Sequence, residues 1–247
     1  MNALAWLLRR ELIRFLRRPS QLVSTLATPV VVWAFLAAGF ANATTQGTYA
    51  AHLAPGMAIL VVMFSTVFVG MSLIEDRHMG FLQGVLVSPA PRSAIAGGKL
   101  AAAALLGAIQ GIPLLLVSPF LGVETSALGL AVASAGLMLT AAAVGGFGLA
   151  LAWWIDSSRG YHGLLTTLIM PLWLLSGSLF PRETAAGWIV FIEQINPVGW
   201  CRTTIEAAMT GSLQHTPFAA LGCAAFAAAG IAAAVATLGN APRASEG

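Results

Sequence analysis

The side chains that could carry chemistry in this sequence are few and lie far apart. The four histidines are His52, His78, His162 and His215, and they are scattered over both membrane faces without a metal-binding spacing among them. His52 and His215 could share one membrane face as a haem or metal site, but scattered surface histidines are the commoner arrangement. We therefore expect no metal ion and no cofactor bound to this chain.

Two short motifs resemble parts of enzyme sites. Gly97-Gly98-Lys99 resembles a phosphate-binding loop, but it lacks the leading glycine and the following Ser or Thr, and it opens an apolar helix. Ser176 and Ser178 lie in an apolar segment without a histidine that could activate them. We predict neither ATP hydrolysis nor proteolysis, and we expect that this chain is not an enzyme.

The composition explains why such groups are scarce. Hydrophobic residues make up 58% of the 247 residues and charged residues only 9%, whereas about a quarter of the residues in a soluble domain are charged. So few polar side chains cannot cover a water-soluble fold of this size. The sequence predicts an integral membrane protein with one domain over residues 1–239 and a cytoplasmic tail at 240–247.

Six apolar stretches are long enough to cross a bilayer core of about 30 Å, which takes about 20 helical residues. They cover residues 22–40, 52–74, 94–121, 128–155, 163–180 and 217–239. Lys99, near the start of the third, is the one charged side chain among them. Since carriers and membrane enzymes usually keep ionisable groups inside the membrane, both classes are disfavoured. We predict an all-α fold with six transmembrane helices.

The lysines and arginines predict the orientation of these helices. With the N-terminus in the cytoplasm, Arg182 and Arg202 are the two basic residues outside, and the other ten lie inside: Arg9, Arg10, Arg14, Arg17, Arg18, Arg77, Arg92, Lys99, Arg159 and Arg243. Both termini are therefore expected in the cytoplasm of a bacterial cell, with the chain in its plasma membrane. The basic residues also face anionic lipid, so the net charge of +3 does not require a nucleic acid partner.

Residues 1–20 predict an amphipathic helix outside the spans. Leu4, Leu8, Leu12, Phe15 and Leu16 fall on one side, nearly opposite Arg10, Arg14, Arg17 and Arg18. This pattern is typical of a helix in the membrane interface with its arginines near lipid phosphates. It either anchors the topology alone or also forms part of a docking surface for a partner.

Two further segments between the spans are amphipathic. In residues 78–92, Phe81, Leu82, Val85 and Leu86 share one helical face, which would cover the bundle, lie on lipid or bind a second protein. Residues 181–212 hold two helical stretches that Asn196-Pro197 separates, each too short to cross. We predict a re-entrant helical hairpin between the fifth and sixth helices, which caps an exit route or plugs the bundle.

The fourth span also carries signals for helix packing. Gly129 and Ala133, and likewise Ala141 and Gly145, have the spacing at which small residues let helices approach closely in lipid. Prolines are expected to kink the first, third and fifth spans, at Pro29, Pro113 and Pro171.

The sequence "EDRHMGFLQGVLVSPAPRSAIAGGKL" (residues 75–100) resembles the cytoplasmic loop of type-2 ABC exporter permeases. That loop has an acidic-basic start, a glycine, a short apolar helix, a Ser-Pro, and a Gly-Lys at the next span. The outer sequences "LFPRE" and "INPVGWCRTTIEA" are also similar to this family, in which a Phe-Pro after the fifth span is followed by an Asn-Pro and an arginine. The resemblance covers nearly the whole chain.

The resemblance implies a permease subunit that pairs with a second permease and with two cytoplasmic ATPase subunits, which hold ATP and Mg. The second permease is expected to be another copy of this chain, with a related chain as the alternative. Residues 75–92 would form the coupling segment, with a coupling helix at residues 77–87 seated in the ATPase. The residues at this contact would be Glu75, Asp76, Arg77, Gly80, Phe81, Leu82, Gly84, Val85 and Leu86. The N-terminal helix would lie beside it as a connecting helix, and the exit residues would be Phe180, Pro181, Asn196, Pro197, Arg202 and Glu206.

Two alternatives stay open. The haem-export permease of cytochrome c maturation is another six-span ABC subunit, but the tryptophan-rich haem motif expected of it is not evident here. The other alternative is a carrier or membrane enzyme outside the ABC class, which the scarcity of charged residues inside the spans disfavours. The residues do not predict which substrate is transported.

Overall fold

The computed structural model describes residues 3–40, 49–81, 92–182 and 184–239, and these residues form helices and turns without a strand. The nine α-helices within these ranges are α1 (Ala3–Leu16), α2 (Pro19–Gly39), α3 (Tyr49–His78), α4 (Arg92–Val117), α5 (Ala127–Trp154), α6 (Ser158–Trp173), α7 (Gly187–Ile195), α8 (Pro197–Met209) and α9 (Pro217–Gly239). Short 3₁₀ turns follow α4 and precede α9, at Ser118–Leu121 and Leu213–His215. The predicted all-α class is confirmed. The predicted tail at 240–247 lies outside the described residues.

Five of the helices in the described ranges are long and apolar enough to cross a membrane. They are α2, α3, α4 with its 3₁₀ turn, α5 and α9. Their positions agree with the first, second, third, fourth and sixth predicted spans to within a few residues. The chain is therefore a multi-pass membrane protein.

The predicted fifth span at 163–180 differs from the structure, because it is not one continuous helix. α6 has 16 residues and contains Pro171, which cannot donate a backbone hydrogen bond. A π-helical turn, Leu174–Ser178, continues it, and Gly177 in that turn has a φ of 76°. A residue with a side chain rarely adopts this left-handed conformation, so the glycine permits the bend.

The bundle is built around α3. This helix packs against α2, α4, α5 and α6, and 83% of its most apolar stretch is buried. α2 lies at the periphery, with 11% of the corresponding stretch buried. Large apolar side chains such as Val23 and Phe35 of α2 are therefore exposed on the isolated chain.

Small residues on α5 allow close helix contacts, as the sequence predicts. A Cβ atom on Gly145 would lie 2.7 Å from the Cβ of Ala103 on α4, and a Cβ on Gly129 would lie 2.7 Å from the carbonyl oxygen of Ala208 on α8. Gly146 meets the backbone of Gly230 on α9. These contacts explain why van der Waals packing alone can hold α5 at the centre of its neighbours.

The segment between α6 and α9 contains the two predicted short helices. α7 has nine residues and α8 has 13, so they extend about 14 and 20 Å and cannot cross a bilayer. The Asn196 side chain caps α8, since its Oδ1 accepts a hydrogen bond from the Val198 amide at 2.9 Å, and Pro197 is the first residue of that helix. The predicted break at Asn196-Pro197 is confirmed.

Candidate functional site

The N-terminal helix α1 lies against α4 at one end of the bundle. Gly97 and Gly98 make this contact possible: a Cβ on Gly98 would lie 2.9 Å from the Cβ of Leu7. These glycines, which resemble a phosphate-binding loop in the sequence, belong to a helix and accommodate another helix. Leu7, Glu11 and Phe15 form the buried face of α1, at intervals of four residues. Of the predicted apolar face only Phe15 is buried, and Leu4 and Leu16 are 40% and 60% exposed.

The carboxylate of Asp76, near the end of α3, is the centre of a buried ion-pair cluster. Asp76 is 1% exposed, and its oxygens accept hydrogen bonds from Arg10 at 2.7 and 3.1 Å, from Arg14 at 2.9 Å and from Lys99 at 2.9 Å. The hydrogen bonds to Asp76 raise the pKa of Arg10, which therefore stays charged. Three helices, α1, α3 and α4, thus meet at one carboxylate.

A second buried carboxylate, Glu11 of α1, completes the connection to α4. Lys99 Nζ lies 3.0 Å from Glu11 Oε1, and the Ser72 hydroxyl donates a hydrogen bond to Glu11 Oε2 at 2.9 Å. Glu11 and Lys99 are both buried. A charge in such a position is tolerated only when it is paired, which each of them is.

Glu75 binds the outer part of the cluster. Its carboxylate pairs with Arg14 and, at 3.1 Å, with Arg18. Three of the four arginines predicted to lie near lipid phosphates, Arg10, Arg14 and Arg18, therefore bind carboxylates of the same chain, and Arg17 is exposed. The pairing explains how a basic helix can pack against the bundle.

Arg77 binds a different part of the molecule. Its guanidinium donates hydrogen bonds of 2.6 Å to the carbonyl oxygens of Trp153 and Ile155, at the C-terminal end of α5. It also pairs with Asp156 at 2.8 Å, although that carboxylate is 90% exposed. A cation is favourable at this end of a helix, where carbonyl groups lack intrahelical partners.

The start of α6 is held against α3 close to this point. Tyr161 is fully buried, and its hydroxyl contacts Gly70 of α3. A Cβ atom on Gly148 of α5 would lie 2.9 Å from the same hydroxyl. The turn between α5 and α6 is therefore fixed to α3 twice, through Arg77 and through Gly70, which lie two helical turns apart.

Phe81, the first residue of the apolar face predicted for the coupling segment, contacts α1. The Arg10 guanidinium lies 3.7 Å from the centre of the Phe81 ring, and the Trp6 ring stacks on it at 6.3 Å. Gly80, with a φ of 72°, ends α3 just before it. The other predicted contact residues, Leu82, Gly84, Val85 and Leu86, lie outside the described residues.

The opposite end of α3 meets the predicted exit residues. Asn196 donates a hydrogen bond of 2.6 Å to the carbonyl oxygen of Leu172, and buried Arg202 binds Glu206 at 3.0 Å and His52 Nδ1 at 3.2 Å. Pro181 is buried and Phe180 is 42% exposed. These residues attach α7 and α8 to α3 and α6.

An ion pair that the sequence analysis missed lies in the same region. Arg182 binds buried Glu193 through Nε, at 3.1 Å from each carboxylate oxygen, and the side chain of Glu193 packs against Gly177 in the π-turn. This pair fixes the bend after α6 to α7.

The cluster at the other end of α3 contains arginines, carboxylates, one lysine and one serine, and no histidine or thiol. Within the described ranges, no group of three or more His, Cys, Asp or Glu is placed to hold a metal ion. Its ion pairs join three helices, α1, α3 and α4. The cluster therefore holds these three helices to one another.

The sequence analysis named Glu75, Asp76, Arg77 and the arginines of α1. The structure brings Glu75 and Asp76 together with three of these arginines, Arg10, Arg14 and Arg18. Arg77 instead binds the end of α5, and Arg17 is exposed. The sequence analysis missed Glu11, Ser72, Lys99 and Trp6 as members of the same cluster. A signal for Glu11 is present in the sequence, since this acid lies midway between Leu7 and Phe15 on an apolar face. A single charge in an apolar span, Lys99, similarly requires a buried partner.

The sequence is similar to those of known membrane transport proteins. Residues 2–210 match the family described as ABC-2 type transporter. A daunorubicin resistance ABC transporter permease protein, DrrB1 of Streptomyces coeruleorubidus, is 26% identical over 82% of this chain and 73% of its own length. Two proteins named putative transport permease ycf38 are also similar. That of Cyanophora paradoxa is 26% identical over 81% of this chain and 70% of its own length. That of Porphyra purpurea is 25% identical over 78% of this chain and 69% of its own length.

Proposed function

The chain belongs to the ABC-2 type transporter family, and from this premise we propose that it is the membrane-spanning permease subunit of an ATP-driven exporter, coupled to an ATPase on a separate chain. Members of this family are transport subunits and not themselves enzymes. In the proposed complex this chain lines the substrate pathway. ATP and Mg bind to the partner, and this chain needs no cofactor.

The observation that carries the proposal is the ion-pair cluster around Asp76. It joins α1, α3 and α4 into one unit at the start of the coupling segment, residues 75–92, to which Asp76 itself belongs. A force applied to that segment therefore reaches three helices at once. Breaking the cluster would leave several charges buried without partners, so these helices move together.

Arg77 extends this unit to the turn between α5 and α6. In the proposed cycle, ATP binding closes two ATPase subunits, and the coupling segment of each permease moves with its ATPase. α3 then carries α1 and α4 through Asp76 and displaces α6 through Arg77 and Gly70. Since the π-turn after α6 connects to α7, the displacement reaches the exit residues.

We further propose six spans, with α6 and its π-turn as the fifth. Together they comprise residues 158–178, whose 21 residues extend about 30 Å as a helix, enough to cross the bilayer core. Both termini then face the cytoplasm of a bacterial cell, α1 lies in the inner interface, and α7 and α8 form a re-entrant hairpin at the outer face. The distribution of basic residues supports this orientation.

A second copy of the permease completes the pathway in this proposal. α2 and α6 expose large apolar side chains, including Phe35, Leu164 and Leu168, and lipid or a second subunit can cover them. The haem-export alternative gains no support from the relatives, whose names refer to transport permeases and daunorubicin resistance. Family membership also displaces the alternative of a carrier or enzyme outside the ABC class.

The test is to purify the chain with its ATPase and to replace Phe81 and Leu86 by alanine. We expect the double variant to insert into the membrane normally and to retain ATP hydrolysis, while transport per ATP falls about tenfold or more. Phe120→Ala is the matched control, because this side chain is 88% exposed and lies in the 3₁₀ turn at the other end of α4. Wild-type transport by the Phe81→Ala, Leu86→Ala variant would contradict the proposal.

A further inference from the structure

A groove of about 680 Å³ runs along the outward side of α1. Five arginines line it: Arg9, Arg10, Arg14, Arg17 and Arg18. Trp6 and Ile13 of α1 and Met79 at the end of α3 supply its apolar surface. The groove thus combines strong positive charge with exposed apolar side chains.

The arginines and the lysine at this groove carry more positive charge than the carboxylates of the ion-pair cluster neutralise. Around Asp76, four cations (Arg10, Arg14, Arg18 and Lys99) face three carboxylates (Glu11, Glu75 and Asp76), which leaves one positive charge. Arg9 and Arg17 are exposed, and no carboxylate among the described residues pairs with them. They raise the excess to three positive charges on one side of one short helix.

The stretch of chain that follows Phe81 adds no negative charge next to the groove. Residues 82–91 are LQGVLVSPAP and contain no Asp or Glu. Outside the described ranges the acidic residues are Glu183, next to Arg182, and Glu246, which Arg243 offsets within residues 240–247. An anion from another molecule would therefore balance the charge of the groove.

The position of the groove indicates which anion. α2, which has the length and composition of a span, begins at Pro19, directly after Arg18. Arg17 thus lies next to the point where the chain enters the membrane, and Arg9 lies about 12 Å along α1 from it. Trp6 is 47% exposed, Ile13 37% and Leu16 60%, so apolar side chains alternate with arginines on the outward surface of α1. This pattern fits the boundary between lipid headgroups and acyl chains.

We infer that this groove binds the headgroups of anionic phospholipids, with Arg9 and Arg17 as the residues that hold the phosphates. Arginine suits this role because its guanidinium binds phosphate oxygens through two parallel hydrogen bonds. Trp6, Ile13 and Leu16 then contact the upper acyl chains. The inference requires only that the chain is a membrane protein, and it is independent of the proposed coupling to an ATPase.

A bound phospholipid would also affect the cluster next to the groove. Its negative charge offsets the repulsion among the arginines that hold α1 against Asp76 and Glu75. Phe81 contacts Trp6 and Arg10, which line the groove, so the lipid adjoins the first residue of the apolar face in the coupling segment. Anionic lipid therefore stabilises the joint between α1 and α3.

The test uses the full-length chain, freed of native lipid in detergent and then given equal amounts of phosphatidylglycerol and phosphatidylcholine. Native mass spectrometry counts the lipids retained. We expect the wild type to prefer phosphatidylglycerol, and the Arg9→Gln, Arg17→Gln variant to bind it about 30-fold more weakly, since each arginine near a membrane contributes a factor of about five. High salt is expected to weaken the wild-type preference as well.

Arg159→Gln is the matched control, because Arg159 is also exposed but lies at the start of α6, away from the groove. It is expected to keep the wild-type preference. Equal retention of both lipids by the wild type would overturn the inference, as would an unchanged preference in the Arg9, Arg17 double variant. A third outcome is that the Arg9, Arg17 double variant keeps its lipid preference but no longer binds the ATPase in lipid-free detergent. That result would show that the groove binds the protein partner instead of lipid.

Discussion

Asp76 and Arg77 are adjacent in the sequence and bind different parts of the molecule. The Asp76 carboxylate is held by Arg10 and Arg14 of α1 and by Lys99 of α4, whereas the Arg77 guanidinium binds the last carbonyl groups of α5. Successive residues on a helix point about 100° apart. The end of α3 thereby connects the N-terminal helix on one side to the turn between α5 and α6 on the other.

Asp76→Asn is expected to destabilise the protein by about 1.5–3 kcal/mol, because it weakens the charged hydrogen bonds that meet at this buried carboxylate. The three cations keep their second partners, Glu11 and Glu75. Thermal unfolding in detergent micelles measures the effect. Asp156→Asn serves as the control, since Asp156 also pairs with an arginine but is 90% exposed, and its loss should cost less than about 1 kcal/mol. Equal effects of the two substitutions would show that burial of Asp76 contributes nothing.

Glu11 and Lys99 are predicted to act as one unit. Glu11→Gln and Lys99→Met each take one of two charged partners from the other buried side chain, so each alone destabilises the protein, while the double variant removes both charges. A double-mutant cycle on the free energy of unfolding should give a coupling energy of about 0.5–3 kcal/mol. Additive effects would mean that the 3.0 Å contact between these side chains carries no energy.

Arg77→Gln is expected to uncouple transport from ATP hydrolysis in the reconstituted complex. Glutamine cannot reach both carbonyl groups, and the loss of charged hydrogen bonds worth about 1.5–3 kcal/mol should lower transport per ATP by about tenfold or more. Arg77→Lys keeps the charge but not the two-pronged geometry, so its effect should be intermediate. If the glutamine variant transports as much substrate per ATP as the wild type, Arg77 does not couple transport to ATP hydrolysis.

Gly146→Ala should destabilise the bundle by about 1–3 kcal/mol, because the added Cβ meets the backbone of Gly230 and α5 must move away from α9. The comparison is Gly163→Ala on α6, where nothing lies within 4 Å of the added Cβ. There, alanine should stabilise the helix by about 0.5–1 kcal/mol. Unfolding curves of both variants in the same detergent provide the measurement, and a stabilising Gly146→Ala would contradict the packing.

The fold could largely be predicted from the sequence because apolar length is a strong constraint in a membrane protein. Five spans were located to within a few residues, and Asn196-Pro197 correctly marked the boundary between α7 and α8. The division of the fifth span could not be predicted with certainty, since Pro171 alone permits a kink or a break, and the bend also depends on the conformation of Gly177.

The cluster was only half predicted, for a physical reason. Periodicity predicts an apolar face on α1 with the arginines opposite, where they were expected to meet lipid phosphates. Of that face, Phe15 is buried, whereas Leu4 and Leu16 are exposed. Periodicity cannot indicate that three of these arginines bind Glu75 and Asp76 at the end of α3, because that contact depends on how α1 crosses α4. Gly97 and Gly98 permit the crossing, and in the sequence they resembled only an incomplete nucleotide-binding motif.

The long-range pairing of α1 has a consequence for biogenesis. Glu11 leaves the ribosome 88 residues before Lys99, a delay of about 4 to 18 seconds at ordinary rates of synthesis. Until Lys99 has been synthesised, the charged side chains of α1 must stay in contact with water. α1 can therefore pack against the bundle only after the third span has been inserted. Insertion intermediates that end before Lys99 should therefore expose the N-terminal segment to protease, and longer ones should protect it.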